Sequence, residues 1–193
     1  MDTTHASLLM RVRAPQDTAA WREFDEIYRP MLFRFALACG LKHADAEDVV
    51  QACLEATMRH IASFEYDPSR GRFRGWLKTM VNNRVRTLLR DRHDAQADTH
   101  AFNRQDTRED APEDLFDRIW RQEHLRHCMD RVKTEVEESS FQAFHALVIE
   151  ERSVEQVCAD FKMTANQVYL IRWRLTNKIR KHMEAILGQD YED

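Results

Sequence analysis

The chain has 193 residues, which limits it to one ordinary domain or two small ones. Its charged fraction of 32% and hydrophobic fraction of 43% exclude a disordered chain, and its 29 basic and 33 acidic residues give a net charge of −4. Only 4 glycines and 4 prolines are present, too few for the tight turns of a β-sandwich or barrel. We therefore predict an all-α protein.

The sequence predicts no membrane insertion and no metal or cofactor. No apolar run approaches the ~20 residues of a membrane span, and the N-terminus lacks the apolar core of a signal peptide. The cysteines Cys39, Cys53, Cys128 and Cys158 form no CxxC pair, which indicates buried thiols and a cytoplasmic location. Residues 124–128 (HLRHC) lack the second ligand pair that a tetrahedral metal site requires.

Apolar residues at helical spacing predict seven helices, over residues 18–39, 44–63, 73–92, 113–136, 139–150, 153–161 and 165–187. Residues 64–72 contain Pro68 and Gly71 and are predicted to form a loop. Residues 93–112 are acidic and show no periodicity, which is typical of a flexible linker. We therefore predict two small helical domains, 1–92 and 113–193, joined by an acidic linker over 93–112.

The charges are unevenly distributed along the chain. Residues 72–92 carry a net charge of about +6 and residues 160–182 about +5, while residues 94–117 carry about −6. Two basic segments with an acidic spacer are typical of two contacts with a polyanion. Solvated faces of ordinary helices would give the same charges, so the pattern alone leaves both interpretations open.

The C-terminal segment has the pattern of a helix-turn-helix. Capping boxes at Ser153–Gln156 and Thr164–Gln167 each mark a helix start, with a short turn between the two helices. In the second helix an apolar sector around Val168 is predicted to be buried, and Arg172 falls inside that sector. Asn166, Tyr169, Leu170, Trp173 and Arg174 point outward, as a helix that enters the major groove requires. Helical hairpins with basic faces also occur in proteins that do not bind DNA.

Helix 73–92 has a basic face bordered by amides and an aromatic ring. Lys78, Asn82, Arg86 and Arg90 share one sector, with Asn83 and Trp76 at its edge. Basic side chains bind phosphates, while amides and aromatic rings bind the edges and faces of unpaired bases. Phe73 lies in the opposite, apolar sector and is expected in the core.

Several segments in order resemble region two of bacterial RNA polymerase sigma factors: Ala46–Gln51 (AEDVVQ), Phe64–Asp67 (FEYD), Phe73–Leu77 (FRGWL), Asn83 and Arg90. The C-terminal helix-turn-helix, with Val168, Tyr169 and Arg174 in its second helix, resembles region four. The size of the chain and the lack of intervening domains are similar to the extracytoplasmic-function (ECF) subfamily.

The resemblance implies two partners, core RNA polymerase and promoter DNA, and leaves room for an anti-sigma factor as a third. It assigns polymerase binding to Asp45, Glu47, Asp48, Gln51 and Glu55. It assigns binding and melting of the minus-ten element to Phe64, Tyr66, Asp67, Arg74, Trp76, Asn83 and Arg90, to which the basic face adds Asn82 and Arg86. It assigns reading of the minus-thirty-five element to Asn166, Gln167, Tyr169, Arg172 and Arg174.

The predicted function is that of a non-enzymatic sigma factor, which directs polymerase to promoters and supports melting and initiation. Two departures from the family pattern are Thr87, where an acid is usual, and Lys162 in the turn, where glycine is common. The first alternative is a helix-turn-helix regulator that acts without polymerase, which would have no use for the acidic helix. The second is an enzyme on nucleic acid, which would require converging carboxylates or a metal cluster.

Overall fold

The computed structural model describes residues 5–63, 73–97 and 113–187. Within these ranges the chain forms eight α-helices and a 3-10 turn at Ile61–Ser63, with no strand, which confirms the all-α prediction. The helices are α1 His5–Arg11, α2 Thr18–Ala38, α3 His43–His60, α4 Phe73–Ala97, α5 Glu113–Glu135, α6 Glu138–Val148, α7 Val154–Phe161 and α8 Ala165–Leu187. None of these helices is long and apolar enough to cross a membrane.

The sequence misses one helix and ends another too early. The sequence pattern does not predict helix α1, although its Leu8 and Leu9, and Val12 directly after it, are buried. Seven residues are too few to show a helical period, so α1 is stabilised by tertiary contacts. Helix α4 continues through Ala97, five residues into the predicted linker, because residues 93–97 contain no glycine or proline. The rest of the predicted linker, 98–112, lies outside the described residues.

The chain divides into two compact units, and the division falls between Glu123 and His124, inside α5. The N-terminal unit contains Ala6–Glu123, and the C-terminal unit contains the described residues from His124 onward. The sequence places the start of the second domain at residue 113, where the helical pattern begins. The contacts place the first eleven residues of α5 with the N-terminal unit instead.

Aromatic rings from α2, α4 and α5 form the core of the N-terminal unit. Tyr28 lies 5.4 Å from Phe73 and 5.7 Å from Trp120 between ring centroids, and Phe35 lies 5.3 Å from Phe116. Each of these five side chains is at most 1% exposed, and tilted or edge-on packing of this kind is favourable for aromatic pairs. Phe73 therefore lies in the core, as the sequence predicts.

The C-terminal unit has two adjoining apolar clusters. Cys128 and Val132 of α5 pack with Phe141, Phe144, Leu175, Ile179 and Ile186, while Val157 of α7 packs with Val168 of α8 and two alanines of α6. Ser153 and Gln156 form the predicted capping box at the start of α7. The turn after α7 uses Lys162 in the left-handed conformation, with φ 52° and ψ 43°. The position that favours glycine is therefore taken by lysine.

Candidate polymerase and nucleic-acid interfaces

Helix α3 presents an acidic and polar stripe to solvent. Asp48, Gln51 and Glu55 are exposed and lie on one face, because residues three and four apart are neighbours on a helix. The Gln51 amide donates a hydrogen bond to the Glu55 carboxylate at 3.1 Å. The opposite face buries Val49, Val50 and Cys53. The packing of α3 thus fixes which side faces outward.

Two further residues assigned to polymerase binding lie beside this stripe. Glu47 is exposed, and its carboxylate lies 4.0 Å from the Arg29 guanidinium of α2. Asp45 is half-buried in the first turn of α3, where a carboxylate interacts favourably with the helix dipole. Asp45 is therefore the least accessible of the five predicted contacts.

Helix α4 separates a buried side from a basic side, as its sequence pattern predicts. Phe73, Leu77, Val81 and Val85 are buried. On the basic side Arg86 and Arg90 are exposed, and Lys78 and Asn82 are half-buried. Trp76 is half-buried against Phe73, with 5.6 Å between ring centroids. The aromatic ring at the edge of the basic face is thus partly engaged by the protein core.

The first two cations of α4 are paired with an acid of α5. Arg74 Nη2 lies 2.7 Å from Asp117 Oδ1, and Lys78 Nζ lies 3.4 Å from Asp117 Oδ2. The resemblance to region two assigns Arg74 to DNA, and no sequence motif includes Asp117. Local periodicity cannot detect this pairing, because 43 residues separate Arg74 from Asp117.

The two neighbouring asparagines of α4 differ in what their side chains do. The Asn82 amide donates to the Lys78 carbonyl oxygen at 2.9 Å, one turn back along its own helix. Asn83 is exposed, and in the described part of the chain its side chain makes no hydrogen bond. Thr87 stands where the family pattern usually has an acid. Its hydroxyl group donates a hydrogen bond to the backbone carbonyl oxygen of Asn83 at 3.0 Å. Asn83 therefore has its donors and acceptor available to an extruded base.

The predicted base contacts Phe64, Tyr66 and Asp67 lie outside the described residues.

The start of α8 is held by Thr164 together with Gln167, a residue that the resemblance assigns to DNA. The backbone N–H of Thr164 donates a hydrogen bond to Gln167 Oε1 at 2.7 Å. In return, the backbone N–H of Gln167 donates to Thr164 Oγ1 at 3.3 Å. This is the predicted capping box, so the Gln167 carboxamide oxygen is already engaged. Asn166 and Arg174 remain exposed on the same helix.

The side chain of Arg172 turns away from the apolar sector in which a helical projection places its Cα. It is exposed, and its guanidinium lies 5.4 Å from the centroid of the Tyr169 ring, within the range of a cation–π interaction. A long side chain can leave the sector of its own Cα, which a projection ignores. Leu170 and Trp173 are exposed as predicted, and Trp173 at 65% is the most exposed large apolar side chain of the described residues.

The cysteines and histidines give no metal site in the described ranges, where no group of three or more His, Cys, Asp or Glu side chains could hold an ion. Burial raises the pKa of Cys53 and Cys128 to about 12 and that of Cys39 to about 11. These thiols are therefore protonated and unreactive at neutral pH. Cys128 packs in the C-terminal apolar cluster, which explains its place in the HLRHC segment.

Comparison with known proteins finds a matching family model and several related solved structures. The family model for sigma-70 region 2 matches residues 24–94. No curated protein matches the chain. Among solved structures, the sigma factor RpoE in complex with the anti-sigma factor NepR from Bartonella quintana is 18% identical, over 84% of this chain and 96% of that chain, with a TM-score of 0.34.

The family match covers α2 from Phe24 onward, all of α3, and α4 up to Asp94, so it includes the stripe on α3 and the basic side of α4. It also ends before α5, whose first part packs in the same unit. The match over residues 24–94 makes this part of the chain similar to sigma-70 region 2, in agreement with the resemblance that the sequence motifs indicate.

Proposed function

We propose that this chain is an ECF-type sigma factor that binds core RNA polymerase through α3, melts the minus-ten element with α4 and reads the minus-thirty-five element with α8. Sigma factors are DNA-binding initiation factors and not enzymes, so the expectation of a non-enzymatic function agrees with the family. The observation that carries the proposal is the region 2 match over residues 24–94, which spans two surfaces of different chemistry on adjacent helices.

The stripe on α3 supports polymerase binding. Asp48, Gln51 and Glu55 are exposed side by side, on a helix whose other face is fixed by a buried core. Such a surface suits docking, because its side chains are already oriented and little order is lost on binding.

The outward side of α4 supports DNA melting. Exposed Arg86 and Arg90 bind phosphates, and the exposed Asn83 amide matches the hydrogen-bonding edge of an unpaired base. Melting requires such groups, because each separated base loses its partner and its stacking. We assign Phe64, Tyr66 and Asp67 to the same role on the resemblance alone.

The helix-turn-helix of α7 and α8 supports duplex reading. Both helices begin with a capping box, and the exposed Asn166, Tyr169 and Arg174 can reach base edges or phosphates from a groove. Only the occurrence of this motif after a region 2 domain favours the ECF type, since a helix-turn-helix alone is also typical of simple regulators. An anti-sigma factor remains a proposed further partner.

Reconstituted transcription tests the proposal. The chain should form a stable complex with bacterial core polymerase on a native gel and direct that complex to start transcription at a promoter from genes next to its own. Permanganate should then detect unpaired thymines in the minus-ten region. Promoter binding without polymerase, together with no polymerase complex, would instead identify a polymerase-independent regulator.

A further inference from the structure

The carboxylate of Asp117 lies against the two cations at the start of α4. We propose that Asp117 acts as an internal competitor for phosphate, which occupies Arg74 and Lys78 and weakens the binding of DNA by the free chain. The inference rests on the proposed function, because it takes the outward side of α4 as a DNA-binding surface.

The geometry is that of a carboxylate shared by two cations. Arg74 donates from Nη2 and Nε to Asp117 Oδ1, at 2.7 and 3.2 Å, and Lys78 Nζ lies 3.4 Å from Oδ2. The three side chains are only 23% to 29% exposed, so water and salt screen them less than a fully exposed pair. A phosphate would use the same two cations, because guanidinium and ammonium groups bind carboxylate and phosphate oxygens alike.

Asp117 is held in place by its neighbours on α5. Phe116 packs on Phe35, Trp120 packs on Tyr28, and Arg34 Nε lies 2.9 Å from the buried Glu123 carboxylate. Helix α5 cannot carry Asp117 away from α4 without exposing both aromatic rings to water. A phosphate must therefore draw Arg74 and Lys78 from an acid that stays within reach.

This arrangement divides α4 into a start whose cations are held by α5 and a later part whose cations face solvent. Arg86 and Arg90 lie beyond the Asp117 contact and are exposed, and the Arg90 guanidinium lies 3.8 Å from the carboxylate of the adjacent Asp91. The free chain should then bind DNA through fewer cations than its sequence suggests. When polymerase supplies additional contacts with the same DNA, the cost of displacing Asp117 becomes a smaller part of the total.

The test compares the full-length chain with its Asp117→Asn variant, which keeps the shape of the side chain and removes its charge. The probe is a short fluorescein-labelled DNA single strand of mixed sequence, titrated by anisotropy at several salt concentrations. We expect Asp117→Asn to bind about three- to tenfold more tightly at low salt. Its plot of log affinity against log salt should be steeper by up to ~1.4, since each new phosphate contact on a single strand adds about 0.7.

Three further variants make the result specific. Asp130→Asn removes the same charge from an exposed position of α5 and should not steepen the salt dependence. Asp117→Glu keeps the charge and should bind as the wild type does. Arg74→Ala combined with Lys78→Ala should abolish the gain from Asp117→Asn. Circular dichroism verifies that each variant is folded.

Equal affinity and equal salt dependence for wild type and Asp117→Asn would overturn the inference, as would an identical gain in Asp130→Asn. If the wild-type holoenzyme opens a promoter in either of these cases, the proposed function stands and only the role of Asp117 is wrong. If Asp117→Asn shows the specific gain while the holoenzyme opens no promoter, the proposed function fails and the competition for phosphate remains.

Discussion

Glu135 at the end of α5 is bound to Lys178 of α8, with 2.9 Å between the carboxylate and the ammonium group. His182 Nε2 and Arg131 Nε approach the same carboxylate at 3.2 Å each. Lys178 above all, followed by His182 and Arg131, lowers the pKa of Glu135 to about 2 against the opposing effect of partial burial. The carboxylate thus connects two helices of the C-terminal unit in its ionised form.

The low pKa of Glu135 predicts a pH dependence of stability. In the folded protein the pKa of Glu135 lies below its ordinary value of 4.5. The stabilisation of the fold by ionised Glu135 is therefore fully present above pH 4.5 and is lost as the pH falls towards 2. Glu135→Gln should lower the free energy of unfolding of the C-terminal unit by about 1 kcal/mol at pH 7, with allowance for solvent screening, and by less at pH 3. Urea titrations at both pH values measure this, with exposed Glu184→Gln as the control. An equal loss at both pH values would rule out an effect of ionisation.

A double substitution on α3 tests polymerase binding. Asp48→Arg with Gln51→Ala should weaken core polymerase binding by ~2 kcal/mol or more if these residues are central contacts. The fold should be unaffected, because both side chains are exposed and Asp48 lies beyond the first turn of α3, where capping would matter. A competition assay against labelled wild type measures the change. Glu26→Arg, an exposed charge reversal on α2, is the matched control, and unchanged affinity of the double variant would refute the assignment.

Substitutions at the two asparagines of α4 test which side chain holds an extruded base. Asn83→Ala should reduce open-complex formation about three- to tenfold, as expected for the loss of one or two hydrogen bonds, while polymerase binding is kept. Asn82→Ala should have a smaller effect, because its amide is bound to the Lys78 carbonyl oxygen. Permanganate reactivity of the minus-ten region is the measurement. If Asn83→Ala kept the permanganate reactivity of the wild type while Asn82→Ala lost it, Asn82 and not Asn83 would be the residue that holds the extruded base.

The turn between α7 and α8 gives a prediction about stability. Lys162 adopts a positive φ, which costs an L-residue ~1–2 kcal/mol compared with a right-handed conformation. Lys162→Gly should therefore stabilise the C-terminal unit by about 0.5–1 kcal/mol after the greater freedom of glycine in the unfolded chain is included. Lys162→Val should destabilise it. Thermal unfolding followed by circular dichroism decides between the two directions.

The division inside α5 predicts which fragment folds. A fragment of residues 124–193 keeps Cys128 and Val132 in the C-terminal core, whereas 138–193 removes both. We expect the shorter fragment to be less stable by ~2–4 kcal/mol, because it lacks two fully buried side chains and the Glu135 contacts. Comparison of their thermal unfolding curves measures this. Equal stability would place the domain boundary at the end of α5.

Local patterns in the sequence predicted most of the helices and the helix-turn-helix. The apolar stripe around Val168 identified the buried side of α8, and the capping boxes marked the starts of α7 and α8. These signals are local, because a helix repeats every 3.6 residues and a cap connects residues three apart. Ordered motifs then led to the sigma-factor family, which the match over residues 24–94 supports.

Tertiary structure alone decided how the interfaces are assembled. Asp117 and Arg74 lie 43 residues apart, and Glu135 and His182 lie 47 apart, so no helical period relates them. The division of α5 between two units has the same origin, since its continuous helical pattern does not reveal which core each turn joins. Helix periodicity fixes the face that a residue occupies, whereas the partner it meets there depends on how the helices pack.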